Sequence, residues 1–532
     1  MRTLVVGIDS ATWRVIHPLM QAEKLPNFKK LTEEGVSGIL RSTMPPLTPP
    51  AWTTIVTGVN PGKHGIWDFV QQDHNTYCVS PLNYRQMNVP AIWDIFNAHQ
   101  RRVGILNFPL AYPPPEVDSF FVSGISTPDS SVFAFPASLM TTIESRKYRI
   151  YPSVAPSAGA KRYAGAVEDM TRVQLGFFGE LLEQYDPELA MVIFMGVDWI
   201  QHHFWDPNSQ TSDYLQSIYR LMDEVLGELI GLVDDDWNIL VLSDHGACEI
   251  DGVIHLNSLL EDWGYLQRSA DVKKGFKRLK RAFVEAVYTC GRRLPFFPKQ
   301  ALKHFLTNDL LNQLLSLHRE QFHLHEIIDW GKTTAFSYGN MGRIFINAAG
   351  RYPAGIVSAE QYEPVREEIM ARLKSLRNPM NREPLIDQVF RREELYQGQA
   401  LDSAPDILFN ARQFRYQFYG DFGKGWFLPR DKRLADHDME GIFLLKGPNI
   451  LKNLTLSASV EDITPTLLYL HNLPCLASMD GQVLSSAITE DLLTHQPPRT
   501  LKNFENGAEQ SSGYNSEEIK QVENRLNNLG YL

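Results

Sequence analysis

Three apolar runs that each close on an acidic residue constrain this chain more than any other feature. Leu4 to Ile8 ends at Asp9, Leu189 to Met195 leads into Asp198, and Trp237 to Leu242 ends in Ser243-Asp244-His245-Gly246. Short uninterrupted apolar runs of this kind are central strands of a parallel sheet, buried on both faces. In open α/β sheets ligands bind at the carboxyl ends of such strands, so three carboxylates would collect along one edge. Asp9 alone would read equally well as a helix cap. Helical stretches alternate with the strands, at about Pro26 to Glu34, after Pro90, and over 165–187, 213–231, 359–375 and 461–473. The expected fold is therefore α/β, one large domain with a mostly parallel central sheet and helices on both faces.

The stretch Pro45 to Gly65, PPLTPPAWTTIVTGVNPGKHG, carries one threonine, Thr48, at its head. Two prolines follow it, which restricts the backbone and holds the hydroxyl at the entry to an ordered element. A held hydroxyl can be a nucleophile, but threonine needs a base, a metal or a depressed pKa before it attacks. Asp198 and His202 are four residues apart, so on one helical turn they share a face and can ligate one ion. His203, next to them, points elsewhere and reads as structural. His437, in ADHDMEGIF, precedes a Gly and a further apolar strand. Asp9, Thr48, Asp198, His202, Asp244, His245 and His437 are enough for two divalent ions, Zn²⁺ or Mn²⁺, with positions left for substrate. Two ions about 4 Å apart suit in-line displacement at phosphorus. Coordination would also lower the pKa of the Thr48 hydroxyl.

Taken together and in order, GIDS, TPPAWTTIVTGVNPGKHG, VDWIQHH, SDHG and DHDMEGIF resemble the alkaline phosphatase superfamily, and within it the type I phosphodiesterase and nucleotide pyrophosphatase family. VPAIWDIF, NFPLAYPPP, HLNSLLEDWGYL, INAAGRYPAGIV, SAPDIL and DITPTLLYL with MDGQVL extend the similarity over most of the chain. The resemblance implies an alkaline-phosphatase-like fold, one ion held by Asp9, Thr48, Asp244 and His245, and another by Asp198, His202 and His437. It also implies that Asn83 helps to hold a non-bridging phosphate oxygen. No Cys or Ser in a Cys/Ser-x-Pro-x-Arg context follows Leu47, which speaks against sulfatase chemistry. A threonine nucleophile with no arginine close behind it tilts the expectation from monoesterase to diesterase. The expected activity is metal-dependent hydrolysis of a phosphodiester or pyrophosphate bond through a phosphoryl-threonine. The alternatives are a phosphomonoesterase or phosphonate hydrolase, a phosphotransferase or mutase, and a non-catalytic metal-binding module.

A formal net charge of −11 argues against general nucleic-acid binding, which needs clustered Lys and Arg. The four cysteines are far apart and suggest neither a disulfide framework nor a Cys-based zinc site. The first apolar run is too short for a signal-peptide core or a membrane span, so a cytoplasmic protein is expected. From Arg268 to Lys303 there are eleven Lys or Arg against two acidic residues. The segment reads as a solvated helical insertion; a cap attracting anionic substrate, or a basic face touching an anionic membrane, are the functional readings. The expected organisation is a catalytic core over 1–262 and 333–490, a basic helical insertion over 263–332, and a linker and helical tail over 491–532, with Ser516 as helix cap.

Overall fold

Residues 1–87, 89–129, 131–206, 213–269, 324–430, 433–502, 504, 514–529 and 531 are described by the structure, a computed structural model. The apolar runs fold as strands: β1 (Arg2–Ile8), β2 (Val36–Arg41), β3 (Val103–Phe108), β4 (Phe120–Ser123), β5 (Ala134–Phe135), β6 (Leu189–Phe194) and β7 (Trp237–Leu242). Further along come β8 (Gly246–Glu249), β9 (Ala435–Asp438), β10 (Glu440–Lys446), β11 (Leu454–Thr455) and β12 (Ala458–Ser459). Ten of them make the central sheet, in the order β11-β2-β10-β7-β1-β6-β3-β4-β5, with β12 also paired to β2. β1 is parallel to both β6 and β7, and all three are buried almost throughout, as continuous apolar strands require.

The sheet is mixed because β10 runs antiparallel to both β7 and β2, and β5 antiparallel to β4. This reversal matters for the site. The carboxyl ends of β1, β6 and β7 and the amino end of β10 lie on the same edge, so residues that follow the first three meet residues that precede the fourth.

Helices cross between the parallel strands, as parallel pairing demands. Those that bear on the site are α1 (Thr48–Thr57), α2 (Ala160–Tyr185), α3 (Gly196–Phe204), α4 (Asp213–Gly231) and α5 (Ser516–Leu529). α1 lies tight against β1 because Gly7 has no side chain: a Cβ there would sit 2.4 Å from the Trp52 ring. α5 is capped one residue earlier than the sequence suggests. The Asn515 side chain accepts from the Glu517 and Glu518 amides, both at 3.0 Å, and Ser516 is already helical. Among the described residues no helix is long and apolar enough to cross a membrane.

A second hydrophobic core is built by Gly252–His255, Leu256–Asp262, Leu324–Ile327 and most of residues 335–429. Its strands form a four-stranded and a three-stranded sheet of their own. Residues 270–323, the bulk of the expected basic insertion, lie outside the described residues. The flanks that are described, including Tyr265, Leu266, Leu324, Ile328 and Trp330, are buried in this second core.

His64, at the end of the motif that begins with Pro45, shows how burial fixes a protonation state. Its Nδ1 accepts from the Ile66 amide at 3.1 Å, so Nε2 carries the proton and donates to Thr54 Oγ1 at 3.0 Å. Burial pushes its pKa down to about 3. The unfolded chain, with an ordinary histidine near pH 6.5, takes up a proton that the folded chain refuses. Stability contributed by neutral His64 is present above about pH 6.5 and is lost as pH falls below it, by up to about 1.4 kcal/mol per pH unit. Urea unfolding at pH 7 and pH 5 should therefore show a smaller acid-induced loss in His64→Asn than in the parent. Equal losses in the two proteins would place the acid sensitivity elsewhere.

Candidate metal centre

Each strand at the shared edge hands its ligand to the same small volume. Asp9, Asp244 and His245 have ligand atoms within 4.8 Å of one another, and so do Asp198, His202 and His437. All six side chains are buried. Asp9 follows β1 directly and is held by the Trp52 indole, which donates to Oδ2 at 2.8 Å. Asp244 and His245 follow β7, with His245 Nε2 3.2 Å from Asp244 Oδ2 and 3.9 Å from Asp9 Oδ1.

Asp198 and His202 stand one turn apart on α3, and His202 Nε2 lies 3.1 Å from Asp198 Oδ1. His437 comes from β9, which pairs antiparallel with β8 so that His437 faces Ala247. That register carries its ring over His245, with centroids 3.7 Å apart, and brings its Nε2 to 3.2 Å from Asp198 Oδ1. The two clusters are thus joined by a stacked histidine pair.

Thr48 enters from above the edge as the first residue of α1. Pro49 and Pro50 fix the backbone of the first turn and bring no N–H groups to compete for its hydroxyl. Thr48 Oγ1 is 3.3 Å from His245 Nε2, and the residue is fully buried.

Proton placement shows what such a pocket is built to hold. Nδ1 of His202 is 2.9 Å from the Ala435 carbonyl, that of His245 is 3.1 Å from the Gly246 carbonyl, and that of His437 is 3.1 Å from the Pro46 carbonyl. A carbonyl only accepts, so each Nδ1 donates, and in the neutral ring each Nε2 turns a lone pair inward. Asp9 Oδ1 and Asp244 Oδ2 are buried with no hydrogen-bond partner. Lone pairs and carboxylate oxygens therefore converge with few protons between them, which a cation resolves and a hydrogen-bond network does not. The donor set of carboxylate oxygens and imidazole nitrogens fits Zn²⁺ or Mn²⁺.

The electrostatics of the Asp9, Asp244 and His245 cluster agree, while Asp198 and His437 stabilise one another's charge. Burial first, and then the neighbouring Asp244 and Asp198 charges, hold the Asp9 carboxyl well above its usual range. Burial likewise pushes Asp244 up to about 8. For Asp198 burial acts upward too, but His202 and His437 outweigh it and hold the carboxyl well below the ordinary value. Burial pushes His245 down, with His437 adding to the effect. Buried carboxylates this close to one another are costly without compensating positive charge.

Two residues that no sequence motif points to also reach the centre. Arg433, held by Asp436 Oδ1 at 3.0 Å, extends Nη2 to 2.6 Å from His202 Nε2. Tyr531 donates its hydroxyl to Asp198 Oδ2. Neither sits in a periodic or apolar stretch that would have marked it. Asn83 is engaged locally: its Oδ1 accepts from the Arg85 amide at 3.1 Å and caps the turn Tyr84–Gln86. His203 turns away from the ligands, its ring against Tyr163 and Phe204.

The model of the family described as type I phosphodiesterase / nucleotide pyrophosphatase matches residues 3–441. No curated protein matches the sequence significantly. Among solved structures, phosphonoacetate hydrolase from Sinorhizobium meliloti 1021, in complex with phosphonoformate, is similar at 16% identity and a TM-score of 0.55, covering 87% of this chain and 94% of its own. Murine ectonucleotide pyrophosphatase / phosphodiesterase 5 is similar at 16% identity and a TM-score of 0.51, covering 92% of this chain and 100% of its own. The human form of that protein gives 15% identity, a TM-score of 0.50, and coverage of 92% and 99%. At such identities the likeness shows a shared fold.

Proposed function

The chain belongs to the type I phosphodiesterase / nucleotide pyrophosphatase family, and from that membership we propose that it is a two-metal hydrolase of phosphodiester or pyrophosphate bonds that works through Thr48. The family is one of metal-dependent phosphoester hydrolases, and two candidate ligand clusters are present here. The observation that carries the finer reading is the position of Thr48 Oγ1, 3.3 Å from His245 Nε2, the histidine whose ring stacks on His437 of the other cluster.

In this mechanism Asp9, Asp244 and His245 would hold one ion, with Thr48 beside it, and Asp198, His202 and His437 the other. Bound there, the ions supply positive charge to the transferring phosphoryl group and acidify the Thr48 hydroxyl. Thr48 Oγ attacks phosphorus, an O–P bond forms, and the bond from phosphorus to the leaving oxygen breaks. Water then attacks the phosphoryl-threonine and returns the hydroxyl. The fixed first turn of α1 keeps Oγ aimed, and the indole of Trp52 keeps Asp9 Oδ2 turned away from rotation. The His245 and His437 Nδ1 atoms, donating to backbone carbonyls, keep both rings in the tautomer that faces the reaction.

Arg433 favours a second reading. A guanidinium beside His202 could hold the extra charge of a monoester or phosphonate dianion, a role that the sequence offered no candidate for near Thr48. Metal analysis together with kcat/KM for a nitrophenyl phosphodiester, a nitrophenyl phosphomonoester and unesterified phosphonoacetate separates the two. The diester reading expects the diester to lead and Arg433→Ala to change its kcat/KM by less than about tenfold. The second reading expects a dianionic substrate to lead and the same variant to cost roughly tenfold to a hundredfold. Bound metal without turnover of any substrate would leave a metal-binding module, and transfer to an acceptor other than water would show in the products.

A further inference from the structure

Tyr531 is the residue whose place in the metal centre nothing in the reaction scheme uses. It is carried there by a segment that is tied down along its length. In α5, Val522, Leu526 and Leu529 are buried. Tyr514 ahead of the helix stacks on Tyr112 with centroids 5.8 Å apart, and its hydroxyl donates to the Ser126 carbonyl at 2.7 Å. Arg525 pairs with Asp129 at 2.7 Å. Beyond the helix, the Tyr531 ring packs on Phe69 with centroids 4.8 Å apart, and its carbonyl accepts from the Asn340 side chain.

The hydroxyl is fully used. It accepts from Trp199 Nε1 at 3.0 Å and donates to Asp198 Oδ2. The other oxygen of the same carboxylate, Oδ1, faces His202 Nε2 at 3.1 Å and His437 Nε2 at 3.2 Å. The two oxygens are therefore divided between two tasks. The torsion that turns a carboxylate is soft, so Asp198 without a partner on Oδ2 could present either oxygen, or both, to an ion. Trp199, next to Asp198 on α3, fixes the phenol's own proton direction by taking its acceptor side.

We propose that Tyr531 is a positioning residue for the metal site of Asp198, His202 and His437: it holds Asp198 Oδ2 so that Oδ1 alone is offered to the ion. The inference rests on the two-ion reading above. Hydrogen-bond partners of this kind to a ligand are worth on the order of tenfold to a hundredfold in metal affinity.

Tyr531→Phe keeps the ring on Phe69 and deletes only the hydroxyl. Metal-free parent and variant would be titrated with Zn²⁺ against a competing chelator, with the melting temperature of the metal-free proteins measured alongside. The expected result is two ions in the parent, one of them about tenfold to a hundredfold weaker in the variant, with a metal-free melting temperature lowered by no more than the loss of the Trp199 and Asp198 hydrogen bonds brings. Excess Zn²⁺ should return kcat toward the parental value, which it would not do for damage to the fold. Removing residues 514–532 should weaken the same ion at least as much. A variant that holds both ions with parental affinity would overturn the inference while leaving the two-ion reading in place. Turnover above the parental level in Tyr531→Phe or in the shortened chain would also overturn it, because Tyr531 would then be an obstruction. A parent that binds no ion would remove the reading on which the inference stands.

Discussion

Thr48→Ala lowers turnover at least about a thousandfold and leaves the metal content at two ions per chain. The Thr48 hydroxyl, beside His245, can attack phosphorus and is not needed to complete the six-residue ligand sets. Six carboxylate and imidazole side chains stay behind when it is removed. The substitution takes away the hydroxyl and one buried methyl and puts the best helix former at the head of α1, so the fold should survive. Thr48→Ser keeps the oxygen and loses the methyl that limits its rotamers, and it should retain measurable activity. Single-turnover experiments on the parent with a diester should trap, after acid quench, the phosphoryl group with its retained ester on Thr48. Near-parental kcat in Thr48→Ala would transfer the attack to water and end the covalent scheme, with the metal site untouched.

His437→Ala is expected to lose one of the two ions, with affinity lowered by at least about a hundredfold. A three-ligand cluster that loses one imidazole keeps only Asp198 and His202, which compete poorly with water. The variant should also loosen the second cluster slightly, because the His437 ring is stacked on His245 at 3.7 Å. Metal stoichiometry after dialysis, read beside the melting temperature with and without added Zn²⁺, distinguishes the two effects. Both ions retained at parental affinity would show that His437 is not a ligand.

The parts of this molecule that were legible in its sequence are those where one stretch of chain decides its own structure. Buried parallel strands are written as unbroken apolar runs, so Leu4 to Ile8 and Trp237 to Leu242 declare both themselves and the acidic residues at their ends. The spacing of Asp198 and His202 declares a shared helix face. β10 is as apolar as its neighbours, but its direction depends on which strands it meets, and no local pattern encodes that. Its antiparallel course is what carries His437 to the edge reached by residues after β1, β6 and β7. Arg433 and Tyr531 act only through tertiary contacts and lie in short irregular stretches with no periodicity to read. Asn83 stands differently: its Oδ1 accepts from the Arg85 amide, a bond local enough to be expected of an asparagine before a turn, and its Nδ2 donors, the atoms a phosphate oxygen would need, take no part in it.

The order of strands in the central sheet has a consequence for the newly made chain. β1 is made well before its two partners, which are supplied by residues 189–194 and 237–242, and before the strand beyond them, residues 440–446. On the ribosome Asp9 can meet Trp52 early but waits until residue 245 for the carboxylate and imidazole of its cluster. Asp198 and His202 can approach each other early, but the imidazole that completes their set is not made until residue 437. Completion of the Asp198, His202 and His437 set is therefore a late event in folding that cannot nucleate it, and fragments that stop between residues 245 and 437 should carry the Asp9, Asp244 and His245 set whole but Asp198 and His202 without their third ligand.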